Sequence, residues 1–354
     1  MSASTRAESA PTSQPFAVPL PWTEAIWSRL HASRTAQRLA HGLLISGPAG
    51  VGKRMLARAL AQSLLCQTPN AQGLACAQCA DCQLLAAGSH PDWLEVGPDP
   101  ESKSGEIPID AVRQFTERES LTPSRAPYKV ALIDPADRLN QAAANALLKT
   151  LEEPTGQSIL CLIGERIGRL PATIRSRCLL IPVAIPDETQ ALRWLTAQEP
   201  RSDWALRLRL AHGAPLRALA ERADDTRLEQ RSQCLNSFLE IARGRSDPIT
   251  VAADWNAIGT DRILDWLAGV MGDLLRLGVC ATPPQLDHPD RHTELTALAQ
   301  RLDLAAGHRL LKRILEARAL SERNLNQQLL LESLAIDWAR IGHAARAGTG
   351  GGHA

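Results

Sequence analysis

The sequence is poor in aromatic residues, carries almost no net charge and has no long apolar run. Phenylalanine, tyrosine and tryptophan make up 3% of the 354 residues, too few for a sheet whose aromatic faces stack on bases. Lysine and arginine number 39 and aspartate and glutamate 38, for a formal charge of +1. This excludes a net field that would draw the whole molecule onto nucleic acid or an anionic membrane. Because no apolar run approaches about 18 residues, we expect no membrane-spanning helix and no membrane partner.

What is present is typical of a globular protein. Hydrophobic residues make up 44% of the chain and charged residues 22%, and at about 150 residues per domain the length allows two or three domains. The first residues, MSASTRAESAPTSQP, lack the basic patch and apolar core of a secretory signal. We therefore expect a cytoplasmic protein whose cysteines are thiols or metal ligands rather than disulfides. Residues 1–20 and 344–354 are predicted to be a flexible N-terminus and a flexible tail.

Short apolar runs alternate with helical patterns over the first half of the chain. The runs occupy residues 41–46, 92–96, 129–134, 158–163 and 178–183. Strands that alternate with helices predict a parallel sheet covered on both faces. After Pro186 only helical patterns remain. The predicted fold is therefore an α/β P-loop domain over 21–185, a small helical lid over 186–227 and an all-α, collar-type oligomerisation domain over 228–343.

A sequence of the type G-x-x-x-x-G-K follows the first apolar run. The candidate phosphate-binding residues are Gly47, Gly50, Gly52 and Lys53. Glycines let backbone N–H groups turn inward around an anion, the helix start adds positive potential, and the lysine reaches the β and γ phosphates. Arg54, however, stands where a serine or threonine hydroxyl would hold Mg²⁺.

The acidic half of an ATP site is altered as well. Asp134 ends an apolar run and is placed to organise Mg²⁺, but Pro135 follows where this kind of ATPase has the glutamate that activates water. Asp137 is predicted to cap the next helix. Two interpretations stay open: a loop kept only as scaffold, and a degenerate nucleotide site that binds ATP without hydrolysing it.

Four of the eight cysteines are clustered in the sequence. Cys66, Cys76, Cys79 and Cys82 follow the spacing C-x9-C-x2-C-x2-C, and four thiolates enclose one Zn²⁺ tetrahedrally, with no position left open for chemistry. The cluster predicts a structural zinc module at 66–82, against the alternative of unpaired surface thiols. The remaining four are predicted to fill the core: Cys161, Cys178, Cys234 and Cys280.

These motifs, in this order, resemble the clamp-loader branch of the AAA+ family. The resemblance runs from about Trp22 to Ile341. It is carried by the four-cysteine insert, HPD at 90–92, DAVR at 110–113, NALLKTLEEP at 145–154 and SRC at 176–178. The ten-residue stretch and the SRC tripeptide are specific in combination.

The resemblance implies a function. Clamp loaders are five-membered rings with ATP between neighbours, and the SRC arginine, here Arg177, would reach in trans into the adjacent subunit's site as an arginine finger. The implied partners are the other loader subunits (gamma/tau and delta) and, through the assembled complex, the sliding clamp and primer-template DNA. The chain would be a non-hydrolysing subunit of a DNA polymerase III holoenzyme.

Two rival hypotheses remain: an active loader ATPase of the tau/gamma type, and a zinc-ribbon DNA-binding protein. The motifs give no role to Lys149, Glu152 or Glu153.

Overall fold

The computed structural model describes residues 16–98, 105–119, 122–153, 157–222, 225–283, 285–320 and 326–347. The chain divides into two compact units, residues 1–220 and 221–354. Within the described ranges, every helix is too short or too polar to span a lipid bilayer.

The first unit is built on five parallel strands. They are β1 (Gly42–Ser46), β2 (Trp93–Val96), β3 (Lys129–Ile133), β4 (Ser158–Gly164) and β5 (Leu179–Pro182), in the order β2-β3-β4-β1-β5. Each coincides with one of the predicted apolar runs to within a residue or two. β1 is buried along its whole length, as expected for a strand covered on both faces.

Nine helices accompany this sheet in the described part of the first unit. They are α1 (Glu24–Thr35), α2 (Lys53–Leu65), α3 (Ala80–Ala86), α4 (Ile109–Glu119), α5 (Gln141–Glu152), α6 (Ala172–Arg175), α7 (Glu188–Gln198), α8 (Trp204–Leu210) and α9 (Pro215–Ala220). Short 3₁₀ turns lie at Pro21–Thr23, Ala136–Arg138 and Ile167–Arg169.

The sheet has a separate core on each face. Leu43 and Ile45 of β1 pack on one face with residues of α1 and α2, and Leu44 packs on the other with residues of α5 and α6. Alternate strand residues point to opposite faces, which explains the division. Helices α7 to α9 share a small core of their own around Trp204.

The second unit is helical throughout its described residues. It contains α10 (Asp225–Arg243), α11 (Pro248–Ile258), α12 (Thr260–Val279), α13 (His292–Ala299), α14 (Leu304–Leu320) and α15 (Gln327–Ala347), with a 3₁₀ turn at Pro289–Arg291. The Phe238 and Trp338 rings stack at 4.2 Å in its core. The α/β P-loop fold followed by helices is thus confirmed.

The predicted domain limits at 185/186 and 227/228 stay predictions, since the division into two units falls at 220/221. Of the predicted flexible N-terminus, residues 1–15 lie outside the described residues, whereas Leu20 is buried. Residues 348–354 of the predicted tail and Pro154, the predicted helix stop, also lie outside them.

The cysteines predicted to fill the core behave differently from one another. Cys161 and Cys234 are buried, as predicted, and Cys178 is half-buried. The prediction is wrong for Cys280, which is exposed because it follows the end of α12 and lies beside Val279, itself 78% exposed.

Candidate functional site

The predicted phosphate loop lies between β1 and α2, at the carboxyl edge of the sheet. Its three glycines, Gly47, Gly50 and Gly52, all have positive φ, at 151°, 76° and 94°. At Gly50 the backbone is approached closely, because a Cβ there would lie 2.9 Å from the backbone nitrogen of Arg217. The neighbouring Leu216 N–H donates a 3.0 Å hydrogen bond to the Gly50 carbonyl. The three glycines therefore adopt backbone conformations that favour glycine, and the loop is bonded directly to the start of α9.

The N-terminal segment also packs on this loop. Trp22 donates its indole N–H to the Val51 carbonyl at 2.8 Å and meets Trp194 of α7 edge to face at 5.5 Å. A Cβ at Gly52 would clash with the Leu20 side chain. Trp22 and Leu20 thus cover one side of the loop.

Lys53 is folded back onto its own loop. Its side chain is 6% exposed, and Nζ donates to the Pro48 carbonyl at 2.6 Å and lies 3.8 Å from Oε1 of Glu165. Burial lowers the pKa of Lys53, and the nearby Glu165 carboxylate opposes that shift. The loop lysine therefore has protein partners in the position where a phosphate would otherwise take its charge.

Arg54 pairs with the predicted metal acid. Its Nε donates to Oδ2 of Asp134, which lies just after β3 and is 12% exposed. A carboxylate organises Mg²⁺ only when its oxygens can coordinate the ion. Here the Arg54 guanidinium is hydrogen-bonded to one of the two oxygens of Asp134, the residue that would hold the metal.

Asp137 does not cap the helix that follows it, contrary to the sequence prediction. Asn140 is the N-cap of α5 and accepts from the Ala143 N–H. Asp137 instead accepts from the backbone N–H groups of Glu165 and Arg166 at 3.4 and 3.0 Å. It fixes the turn after β4, a contact between distant segments that local capping rules do not detect.

A cavity of about 610 Å³ opens beside the loop. Three cations line it, and each lies beside a carboxylate: Lys53 by Glu165, Arg54 by Asp134, and Arg58 by Glu95 at 3.1 Å. The positive charges that a polyphosphate would need are therefore already compensated within the protein.

Arg177 lies far from this cavity. It precedes β5, whose Leu179 is paired with Leu43 near the start of β1, whereas the phosphate loop follows the end of β1. Five strand residues at about 3.3 Å each put about 16 Å between the two edges. Arg177 is 37% exposed, and its Nη2 lies 2.7 Å from Oε1 of Glu152.

The four clustered cysteines converge. Their sulfur atoms all lie within 4.8 Å of one another, with Cys66 to Cys79 and Cys76 to Cys82 both at 3.9 Å. A tetrahedral ion with sulfurs at about 2.3 Å leaves about 3.8 Å between them. The cluster could therefore hold a metal ion.

The environment of the sulfurs favours thiolate at two of them. Hydrogen bonds from Thr68 and from backbone N–H groups lower the pKa of Cys76 to about 5. Burial opposes ionisation of Cys79, but the N–H of Cys82 and other donors lower its pKa. Burial raises the pKa of Cys66 and Cys82, so these two buried sulfurs need a nearby cation to ionise.

A buried carboxylate ties this module to the sheet. Asp81 of α3 accepts from Gln67 at 2.8 Å and from Nε of Arg125 at 2.6 Å, and lies 3.6 Å from Nε2 of His90. Asp92 in turn accepts from three consecutive backbone N–H groups at 124–126. The sequence pointed to the HPD motif but missed Asp81 and Arg125, since only the fold brings them together.

Two family models match the chain. The model described as DNA polymerase III, delta subunit, matches residues 22–186, and the one described as its C-terminal part matches residues 225–340. The DNA polymerase III subunit delta' of Pseudomonas aeruginosa is 36% identical over 326 residues, covering 91% of this chain and 97% of that protein. The chain belongs to the delta-prime family of DNA polymerase III subunits.

Two further relatives are also subunits of DNA polymerase III. The delta' subunit of Escherichia coli is 34% identical, covering 93% of this chain and 96% of that protein. The DNA polymerase III subunit gamma of Buchnera aphidicola (Schizaphis graminum) is 35% identical over 158 residues, 45% of this chain and 42% of that protein. The prediction of a clamp-loader subunit of DNA polymerase III is confirmed.

Proposed function

We propose that this chain works inside a DNA polymerase III clamp loader as a subunit that does not hydrolyse ATP and supports loading of the sliding clamp on primed DNA. Membership of the delta-prime family supports the assignment to that assembly. The observation that carries the absence of turnover is the ion pair between Arg54 and Asp134. Phosphoryl transfer depends on a metal ion bridging the β and γ phosphates, and this pair competes with the metal for its carboxylate.

The loop formed by Gly47, Gly50, Gly52 and Lys53 remains a candidate nucleotide site without turnover. Its glycine conformations suit an anion, but each cation around the cavity has a carboxylate beside it. An incoming phosphate must therefore displace carboxylates as well as water, which weakens binding. We infer that the loop serves mainly as architecture. The same ion pairs disfavour the rival hypothesis of an active ATPase.

Arg177 is the arginine finger of this proposal. Its position at the amino edge of the sheet, about 16 Å of strand away from the chain's own phosphate loop, prevents it from serving that loop. The guanidinium is paired with Glu152 but partly exposed at this edge, so it can still meet phosphates held by an adjacent subunit, where a planar cation stabilises the charge of the transferring group. The partners would be the gamma/tau and delta subunits, with the clamp and primer-template DNA met by the assembled loader.

Zinc is the proposed ion of the cysteine cluster. Four soft thiolates in tetrahedral arrangement suit Zn²⁺, and with no position left for water the ion would be structural. The cluster follows α2 inside the first unit and packs through Asp81 onto Arg125. This attachment to the body of the domain favours a structural module over a separate zinc-ribbon DNA-binding element.

Reconstitution tests the proposal. The isolated chain should show no ATP turnover with Mg²⁺, and a loader assembled with Arg177→Ala should form normally yet hydrolyse ATP about a hundredfold or more slowly. Arg175→Ala, an exchange of the last residue of α6, is the matched control and should leave the rate unchanged. An Arg177→Ala loader with the wild-type rate would remove the finger, and turnover by the isolated chain would remove the inactive-subunit assignment.

A further inference from the structure

The motifs left Glu152 without a role, and the structure gives it a partner. Glu152 is the last residue of α5, and its Oε1 lies 2.7 Å from Nη2 of Arg177. A carboxylate at a helix C-terminus faces the negative end of the helix dipole. The position is therefore locally unfavourable, and Arg177 supplies the compensating cation.

Three segments converge on this pair at the amino edge of β1. His41 shares a 3.0 Å hydrogen bond between its Nε2 and the carbonyl of Leu151 at the end of α5. A Cβ on Gly42 would lie 3.0 Å from the Leu151 side chain and 3.2 Å from the Arg177 carbonyl. Glycine at position 42 therefore lets the end of α5 and the backbone of Arg177 approach β1 together, so the two charged side chains start from fixed positions.

The guanidinium is held from two sides. Nη1 donates to the Thr173 carbonyl at 3.1 Å and lies 3.3 Å from the Ser176 hydroxyl, while Nη2 is bound to Glu152. Among the described residues, the Nε–H group of Arg177 has no protein partner, so the group keeps donors for a phosphate oxygen. A guanidinium oriented beforehand loses less side-chain entropy when it binds a phosphate.

We propose that Glu152 is a positioning residue for Arg177, orienting its guanidinium toward a nucleotide phosphate held by an adjacent subunit. The inference rests on the proposed arginine-finger function. Glu152 acts through Arg177 and touches no substrate. Its carboxylate fixes Nη2, whereas the Thr173 carbonyl and the Ser176 hydroxyl fix Nη1.

The pair is exposed on both sides, with side chains 37% and 49% accessible. A solvent-screened pair of this kind contributes a modest amount. In a loader reconstituted with gamma/tau and delta, Glu152→Gln should therefore lower kcat for ATP about threefold to fivefold and leave KM within about twofold.

The matched control is Glu153→Gln, which removes the adjacent exposed carboxylate and should behave as wild type. Combining Glu152→Gln with Arg177→Ala should give the rate of Arg177→Ala alone, because a positioning residue has no effect once its partner is gone. A purely structural role would persist in the double variant. Loader assembly is followed by gel filtration for every variant.

The outcomes separate the two proposals. A lower rate with Arg177→Ala and an unchanged rate with Glu152→Gln overturns the positioning role and leaves the finger in place. An unchanged rate with Arg177→Ala overturns the finger. Additive losses in the double variant, or failure of Glu152→Gln to assemble, show that Glu152 acts elsewhere and overturn the inference.

Discussion

At the scale of single residues, one exchange in the phosphate loop changes the electrostatics of the whole cavity. Arg54 replaces a small hydroxyl by a long cation, and the cation reaches Asp134 across 80 positions of sequence. The result is a cavity in which each lining lysine or arginine lies beside a carboxylate. In the proposed function it is this pairing, more than the loss of the hydroxyl, that prevents turnover at the loop.

Replacing Arg54 by threonine tests that view. Arg54→Thr supplies a hydroxyl and releases Asp134, so Mg²⁺ should raise the affinity for ADP at least about tenfold over the affinity in EDTA. Titration calorimetry measures the affinity for ADP with Mg²⁺ and in EDTA. Arg58→Thr, which removes another cavity cation, should bring no Mg²⁺ dependence. Turnover should stay absent because Pro135 is unchanged. Equal affinity with and without Mg²⁺ in Arg54→Thr would contradict the explanation.

Asp203 offers a pH-dependent prediction. Hydrogen bonds from Arg201 and Arg207 lower its pKa to about 2, below the usual value near 4. A lowered carboxyl pKa stabilises the fold above the unfolded pKa, and the stabilisation is lost as pH falls toward the folded one. Asp203→Asn should therefore lower the free energy of unfolding by about 1 kcal/mol at pH 7, after allowance for solvent screening.

Urea unfolding at several pH values measures this effect. The difference between Asp203→Asn and wild type should narrow as pH falls from about 5 toward 3. Glu188→Gln, which disturbs a longer and more exposed pair with Arg209 in the same helical group, should change little at any pH. A constant difference across the range would show that the loss at Asp203 is one of packing rather than charge.

Residue patterns predicted local features well and long-range partners poorly. The glycines of the loop and the convergence of the four cysteines follow from motifs whose spacing is itself the signal, whereas Arg177 was singled out only by the resemblance to clamp loaders. The pairs Arg54 with Asp134 and Glu152 with Arg177 join segments far apart in sequence, and charge alone does not choose between partners. The predictions for Cys280 and Asp137 were wrong, because each rested only on the neighbouring residues in the sequence.

At the scale of helices, α10 and α15 pack closely together because a glycine stands where they meet. A Cβ on Gly342 would lie 2.7 Å from the Cα of Ala242. Trp338, one turn earlier on α15, donates its indole N–H to the Phe238 carbonyl at 2.7 Å. The sequence predicted these helices from their composition, but which pair would touch through a glycine depends on the packing of the whole unit.

Two glycine-to-alanine substitutions should change the stability of the protein in opposite directions. Gly342→Ala forces a methyl group against backbone and should lower the free energy of unfolding by about 1–3 kcal/mol. At Gly272 on α12 the nearest atom to a new Cβ is the tip of Arg276 at 3.8 Å. Gly272→Ala should therefore raise the free energy of unfolding by about 0.5–1 kcal/mol, because alanine favours the helix more than glycine does. Denaturant unfolding of both variants measures these changes. If Gly342→Ala left the free energy of unfolding unchanged, α10 and α15 would be able to move apart without cost.

At the scale of the molecule, the two units differ in how each one is stabilised internally. The second has one helical core, whereas the first has a core on each face of its sheet and an excursion of chain after α2 with little apolar content. In a segment of this kind metal binding supplies the folding energy that apolar burial does not.

Removal of the metal should therefore affect the two units unequally. The chain should contain one zinc, Cys79→Ser should lose it, and Cys280→Ser, an exposed cysteine outside the cluster, should retain it. Hydrogen exchange after chelation should rise in residues 66–98 and stay unchanged in the second unit. Metal analysis showing less than one zinc per chain, or full zinc in Cys79→Ser, would refute the module.

The hydrogen bond from Leu216 to Gly50 has a mechanical consequence. It joins the start of α9 to the phosphate loop directly, and Trp22 bridges the same loop to α7. These contacts tie α7 and α9 to the loop and leave the cavity beside it open. Under the proposed function, the first unit would act as a stator, a fixed body that resists displacement while the other loader subunits move against it.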